Sequence, residues 1–196
     1  MLMTGRLKPG QQMKIHDLTR AFGTSTQPVR EAIRQLVAER ALQAAPNRTA
    51  HVPAYDQARL LDLRAARLAV ECLAVELAVP RATPADIATL EAIVLQQAEA
   101  DARGDAEASV GANLSFHFTL YGIAGSSVLP ALIENLWLQL GPYMRSAREN
   151  FNPARGKGGK FHRDAIDGLK AKDVAKTRAA IEGDINRTFD LLLPPA

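Results

Sequence analysis

From residue 56 onward, apolar positions recur three and four residues apart, and capping or stopping residues punctuate the runs. Leu60, Leu61, Leu63, Leu68, Val70, Leu73, Val75 and Leu77 form an apolar band too wide for a surface stripe. This predicts a helix enclosed on several sides, which Pro80 is expected to stop. Thr83-Pro84-Ala85-Asp86 opens the next helix: Thr83 caps, Pro84 suits the first helical position, and Asp86 complements the helix N-terminus. Ile87, Leu90, Ile93, Val94 and Ala98 recur along that helix, which is expected to end near Gly104. A third helix is predicted from Asp105 to Ala124, closed by Gly125. A fourth is capped by Ser126 or Ser127 and runs to Glu149, with a kink at Gly141-Pro142. Asn152 to Gly159 reads as a basic, glycine-rich loop, and two further helices over 160–170 and 173–192 precede Pro194-Pro195.

The first 53 residues differ in kind. The pattern predicts a helix from Ile15 to Phe22, a turn over Gly23-Thr24-Ser25-Thr26, and a helix from Gln27 to Arg40 with Pro28 in its first turn. A β-hairpin is expected within Leu42–Val52, with Pro46-Asn47-Arg48 at its tip. Helix, turn, helix and hairpin in that order is a winged helix-turn-helix. The fold class is therefore mainly α: a winged helix-turn-helix over residues 1–53, with a small hairpin wing, then an all-α antiparallel bundle over 54–196. Pro53 to Asp56 reads as the linker. In the second helix Val29, Ile33, Leu36 and Val37 make one buried stripe, and Gln27, Arg30, Glu31 and Arg34 point away from it. Arginine suits phosphate and guanine edges, and the start of a recognition helix is where such contacts form. The competing reading of Arg30 and Arg34 is an ordinary solvated helix face.

Composition shifts the balance toward DNA. The chain of 196 residues is 47% hydrophobic and 23% charged with a formal charge of +3, an ordinary globular make-up. The charge is unevenly spread: residues 1–53 hold eight basic side chains against three acidic, while the remainder holds two more acids than bases. Cys72, the single cysteine, lies among apolar neighbours and cannot form an internal disulfide, so a core position in a reducing compartment, by default the cytoplasm, is expected. There is no run of 18 apolar residues and no signal-peptide pattern, so no membrane partner is expected.

Gly5-Arg6-Leu7-Lys8-Pro9-Gly10, Leu18 to Ser25, Pro28 to Leu36 and Pro46-Asn47-Arg48-Thr49-Ala50, in that order, resemble the GntR family of bacterial transcription regulators. Arg67 to Glu71, Phe116-His117 and Phe161-His162-Arg163 are similar to the FCD effector domain of the FadR-type subfamily. The resemblance implies DNA contacts from Thr26, Gln27, Arg30, Arg34 and Arg48. The family usually carries arginine where Thr26 stands, so operator preference is expected to differ. The family also begins with a full helix where only Met1 to Thr4 stand here, which leaves part of the apolar face of Ile15, Leu18 and Ile33 without its usual cover.

Asn113 and His117 share a helix face. His162 and Asp184 would lie about 33 Å apart in one helix, but a hairpin folded at residue 173 sets them at one height. Four polar groups then converge in a bundle, a recurrent route to metal sites. By resemblance these positions hold an aspartate and three histidines around a divalent metal, which implies zinc or nickel on Asn113, His117, His162 and Asp184. The alternative is that the four bond one another or an effector. Arg67 is implied in effector binding, gripping a carboxylate, against an ion pair to Glu71 one turn on. The resulting expectation is a regulator, most simply a repressor, that binds a near-palindromic double-stranded operator as a homodimer and senses a small carboxylate. Effector binding is expected to reposition the DNA domains through the linker. A metal-dependent enzyme or a sensor-only module on the bundle is the opposing reading. No His-Glu-x-x-His pattern is present, and Gly156 to Gly159 lacks the hydroxyl residue of a phosphate loop.

Overall fold

A computed structural model describes residues 2–3, 7–45, 49–144 and 158–193. In the N-terminal part, α1 (Ile15–Phe22) and α2 (Thr26–Ala38) are joined by a turn in which Gly23 adopts φ 60°. Strands β2 (Gln43–Ala45) and β3 (Thr49–His51) form the expected hairpin. Its predicted tip, Pro46 to Arg48, lies outside the described residues. A two-residue strand, β1 (Gln12–Met13), was not expected; it pairs antiparallel with β3 and makes a sheet of order β1-β3-β2. Two residues are too few to show an alternating pattern.

Val29 and Ile33 of α2 are buried with Leu2, Leu7, Met13, Ala41, Leu42, Ala50 and Val52. Against the expectation of an uncovered face, Ile33 is enclosed, whereas Ile15 and Leu18 stay half-buried and Phe22 is exposed.

The bundle begins with α3 (Gln57–Arg81), started by Asp56, whose side chain accepts from the Arg59 amide at 3.2 Å. Pro80 does not stop α3 at its own position: the helix runs one residue further, because in the last turn the missing N–H removes a single bond. The freed end is held from outside, since Lys172 Nζ donates to the carbonyls of Val79 (3.1 Å) and Ala82 (2.5 Å). The helix α4 (Pro84–Ala102) opens with a complete capping box between Thr83 and Asp86. Next come α5 (Ala106–Gly122) and α6 (Leu129–Leu140), the latter preceded by Ser126, whose Oγ accepts from the amides of Val128 and Leu129. The kink foreseen at Gly141-Pro142 is a 3-10 turn over Gly141–Tyr143. The predicted continuation to Glu149 and the loop from Asn152 to Lys157 lie outside the described residues. Two helices complete the chain, α7 (Gly158–Lys170) and α8 (Val174–Leu192). The glycines at 158 and 159, read as loop, open α7.

α3 packs on α5, α6 and α8, α4 on α5 and α7, and α7 pairs with α8 across the turn at Ala171-Lys172-Asp173. The core is built from Leu60, Val75, Leu90, Phe116, Leu120, Ile133, Leu169, Ile181 and Phe189. Gly168 makes the α7/α8 approach possible: a Cβ there would lie 2.3 Å from Thr177 Oγ1 and 2.8 Å from its amide nitrogen. The Thr177 hydroxyl cannot swing clear, because it is buried and donates to the Asp173 carbonyl.

Gly168→Ala should therefore destabilise the protein by about 1 to 3 kcal/mol and shift the α7/α8 pairing. Thermal denaturation measures it, and an unchanged melting temperature would show that the close contact is dispensable.

Candidate functional site

Four of the five residues expected to contact DNA lie as the helical period demands. Thr26, Gln27, Arg30 and Arg34 are exposed on α2 above buried Val29 and Ile33. Gln27 Nε2 donates to Glu31 Oε1 at 2.8 Å, one turn on. No side chain caps α2, since Ser25 makes no capping bond. Arg48 lies outside the described residues.

In the bundle, α5, α7 and α8 bring three of the four expected polar residues together. His117 Nε2 is 3.1 Å from Asp184 Oδ2 and 3.3 Å from His162 Nε2, and His162 Nε2 is 4.0 Å from Asp184 Oδ2. Both histidines are about 1% exposed and Asp184 9%. Phe116 stacks on the His162 ring at 4.0 Å and closes that side. Asn113, half-buried one turn before His117, contributes no hydrogen bond to the cluster.

The hydrogen-bond partners fix which ring nitrogens carry protons. Tyr121 Oη donates to Glu71 Oε2 at 2.6 Å, and that is its only proton. Its oxygen therefore accepts from His117 Nδ1–H at 3.0 Å. His162 Nδ1 likewise donates to Gln97 Oε1 at 3.0 Å. Both Nε2 atoms are thus turned on the Asp184 carboxylate, and three acceptors face one another around a point that holds either one shared proton or a cation. Tautomer locking of this kind from behind the ring is the usual companion of metal-ligating histidine.

Burial pushes the His162 imidazole down to about 4, despite the opposing pull of Asp184, so the ring is neutral at physiological pH. Burial alone would raise the Asp184 carboxyl, but hydrogen bonding to His117 and the proximity of His162 and Arg187 hold it down to about 2. Three groups whose atoms lie within 4.8 Å of one another are thereby set as a candidate cation site. A tetrahedral zinc with bonds of about 2.1 Å has ligand separations of roughly 3.4 Å, and the observed 3.1, 3.3 and 4.0 Å bracket that value. The donor chemistry and spacing both fit a divalent transition metal.

Arg67 is buried, and its guanidinium pairs with Glu71, Nε to Oε1 at 2.5 Å and Nη2 to Oε2 at 3.0 Å. Of the two readings for Arg67, the ion pair to Glu71 is the contact present, and it is enclosed rather than exposed. The guanidinium also lies 4.4 Å above the Trp137 ring. Charge pairing with Glu71 outweighs burial and raises the arginine further. Sequence reasoning named Glu71 as a partner of Arg67 but missed Tyr121 and Gln97 as supports. Tyr121 had a signal, since it stands four residues after His117. Gln97 reaches His162 from another helix and had none.

The two parts of the chain are in contact. Asn135 Nδ2 donates to the Glu39 carbonyl at 3.2 Å, and Arg59 Nη2 to the Arg40 carbonyl at 2.6 Å and to Gln139 Oε1 at 3.0 Å. Leu138 joins the N-terminal core, and Tyr143 Oη donates to the Ala54 carbonyl at 2.8 Å. At Gly141 the Leu2 backbone passes so closely that a Cβ would come within 2.4 Å of its carbonyl oxygen. Of the expected linker Pro53 is buried and the Ala54 carbonyl is bonded, whereas Ala54, Tyr55 and Asp56 are exposed; the contacts come from α3, α6 and the turn after α6.

A winged helix-turn-helix seated on a helical bundle with a buried polar centre is the build of a bacterial transcription regulator. Residues 1–52 match the gntR family of bacterial regulatory proteins, and residues 62–187 match the FCD domain. The chain is 34% identical over 193 residues to the HTH-type transcriptional regulator McbR of Escherichia coli, a match covering 97% of this chain and 87% of that protein. The solved structure of Escherichia coli McbR superposes with a TM-score of 0.91 at 31% identity, covering 97% of this chain and 91% of the other. A GntR transcriptional regulator from Rhodococcus sp. RHA1 shares the fold, with a TM-score of 0.74 at 20% identity over 97% of this chain and 91% of that one. The chain belongs to the GntR family of transcription regulators, in the branch that carries an FCD domain. No helix among the described residues is long and apolar enough to cross a membrane.

An unfolded histidine takes up its proton near 6.5, whereas folded His162 does so only near 4. Between those values the unfolded state binds more protons, so the stability of the metal-free protein should fall as pH is lowered through this window. Melting temperatures from pH 7 to pH 4.5 should decline, with a smaller decline in His162→Gln; equal slopes in the two proteins would contradict the buried neutral ring.

Proposed function

We propose that this regulator acts as a repressor whose sensor is a divalent metal, zinc or nickel, held by His117, His162 and Asp184 and open to a small organic acid. The observation that carries the proposal is the convergence of three lone pairs, each fixed by a partner behind it. Such a set of acceptors is held apart by mutual repulsion unless a proton or cation sits among them. A bound metal supplies a Lewis-acidic centre, and the chain's own residues do the remaining work: Tyr121 and Gln97 hold the imidazoles as neutral donors, and Asp184 supplies the negative charge. Asn113 stands one turn from His117 as a further oxygen donor, weaker than the other three.

The charge balance supports an anionic effector. Arg67 and Glu71 cancel, so one carboxylate against a divalent ion leaves one positive charge uncompensated inside the bundle. A carboxylate matches it. The Arg67 guanidinium stays paired with Glu71 at the edge of this centre and adds to the field that draws an anion.

The output side is α2. Gln27 and one of Arg30 and Arg34 read base edges, Thr26, the other arginine and Arg48 contact the backbone, and two copies of the chain engage the half-sites of a near-palindromic operator. A homodimer is needed because one such domain offers few contacts. Sensor and reader are joined by α6, where Trp137 lies 5.2 Å from the His117 ring, measured between ring centroids, while Asn135 bonds the turn after α2, Leu138 packs on the N-terminal core, and Gln139 holds Arg59, which bonds the Arg40 carbonyl. An effector acts by preferring one placement of α6.

Two measurements test this. Elemental analysis of protein purified without chelator should find close to one divalent ion per chain, lost in His117→Ala and in His162→Ala; metal-free wild type on reconstitution with zinc and nickel would contradict the sensor. Arg30→Ala with Arg34→Ala should weaken retardation of the DNA upstream of the chain's own gene by at least about 30-fold, with a shallower salt dependence. Unchanged retardation would remove α2 as the reading helix.

A further inference from the structure

Resting on the sensor reading above, we propose that the indole N–H of Trp137 is the hydrogen-bond donor that recognises the carboxylate of the effector. Among the described residues only two buried side-chain nitrogen or oxygen atoms have no hydrogen-bond partner, Trp137 Nε1 and Arg59 Nε. Arg59 is otherwise engaged, its guanidinium being tied to the Arg40 carbonyl and Gln139. Trp137 is not: its residue is 3% exposed, the indole has a single polar atom, and that atom can only donate. A buried donor left unmade is costly, and native interiors seldom retain one without a reason.

The acceptors around the indole are turned to other donors, and none of them bonds it. Glu71 accepts from Arg67 at both oxygens and from Tyr121 at one of them. Gln97 Oε1 is engaged by His162, and Asp184 Oδ2 faces His117. The indole nevertheless lies at the polar centre, beneath the Arg67 guanidinium and beside the His117 ring, with Phe118 edge-on at 5.7 Å. The contacts with the guanidinium and Phe118 are made by the ring and do not use the N–H. The N–H is therefore best accounted for by an acceptor that arrives with the ligand. An oxyanion fits: it answers both the unpaired donor and the uncompensated charge, whereas an amine or a neutral apolar ligand answers neither. Because Trp137 sits on α6, the same bond would bear on the helix that holds the DNA-reading domain.

Trp137 is the only tryptophan in the chain, so its indole gives a single nitrogen–proton resonance and the sole indole fluorescence. The test follows that resonance in 15N-labelled wild-type protein loaded with zinc and titrated with acetate, alongside calorimetry of wild type and Trp137→Phe. Acetate should move the indole proton downfield and saturably. Trp137→Phe should take up zinc as tightly as wild type yet bind acetate about tenfold or more weakly, the loss expected for one hydrogen bond to a charged group. Acetate binding that leaves the indole resonance in place, or equal acetate affinity in the two proteins, overturns the assignment. Failure to bind zinc overturns the metal reading alone; the titration is then run on metal-free protein, where a saturable downfield shift keeps Trp137 as the reader and no response removes it. If Trp137→Phe does not fold, the wild-type resonance decides by itself.

Discussion

Five side chains that water would otherwise solvate, Arg67, Glu71, Tyr121, His117 and Asp184, are buried in one unbroken hydrogen-bonded line across α3, α5 and α8. Burying a charge without a partner costs several kcal/mol, so each member is tolerable only because the next one answers it. The consequence is orientational. Glu71 must be ionised to hold Arg67, the ionised carboxylate takes the Tyr121 proton, and the tyrosine oxygen then takes the proton of His117 Nδ1. A choice made at α3 thereby decides which nitrogen of a histidine on α5 faces Asp184 on α8. The three-donor centre is as much a product of this line as of the three donors themselves.

Much of the fold is legible because it is locally determined. The capping box at Thr83 and Asp86, the buried stripe of α2 and the helix-turn-helix spacing depend on neighbours within four residues, and each falls where the pattern places it. The pairing of His162 with Asp184 is also legible, since a hairpin at residue 173 leaves no other register. The features that escape depend on distant partners or on too few residues. β1 exists only through β3, the last turn of α3 persists past Pro80 because Lys172 arrives from elsewhere in the chain, and Gln97 meets His162 only once α4 and α7 have packed. Arg67 shows a different limit: the sequence offers it two partners, and the geometry in hand seats it on Glu71.

The contact between the two parts of the chain alters the picture of coupling. The stretch read as a linker starts at buried Pro53 and is bonded at the Ala54 carbonyl by Tyr143, while Asn135 of α6 reaches the Glu39 backbone and Arg59 of α3 that of Arg40. The helix that touches the polar centre at Trp137 and the reading domain at Asn135 and Leu138 is short, twelve residues in all. Coupling needs an element whose placement both sites bias; α6 contacts both, and so does α3, which carries Arg67 and Glu71 and whose Arg59 donates to the Arg40 carbonyl.

The proposal that His117, His162 and Asp184 hold one divalent cation is tested by X-ray absorption at the zinc edge of reconstituted protein. The expected spectrum is a coordination shell of nitrogen and oxygen at about 2.0 to 2.2 Å, with the outer-ring scattering of two imidazoles. A shell of oxygen alone, or one that keeps its two imidazoles when His117 and His162 are both replaced by alanine, would contradict it.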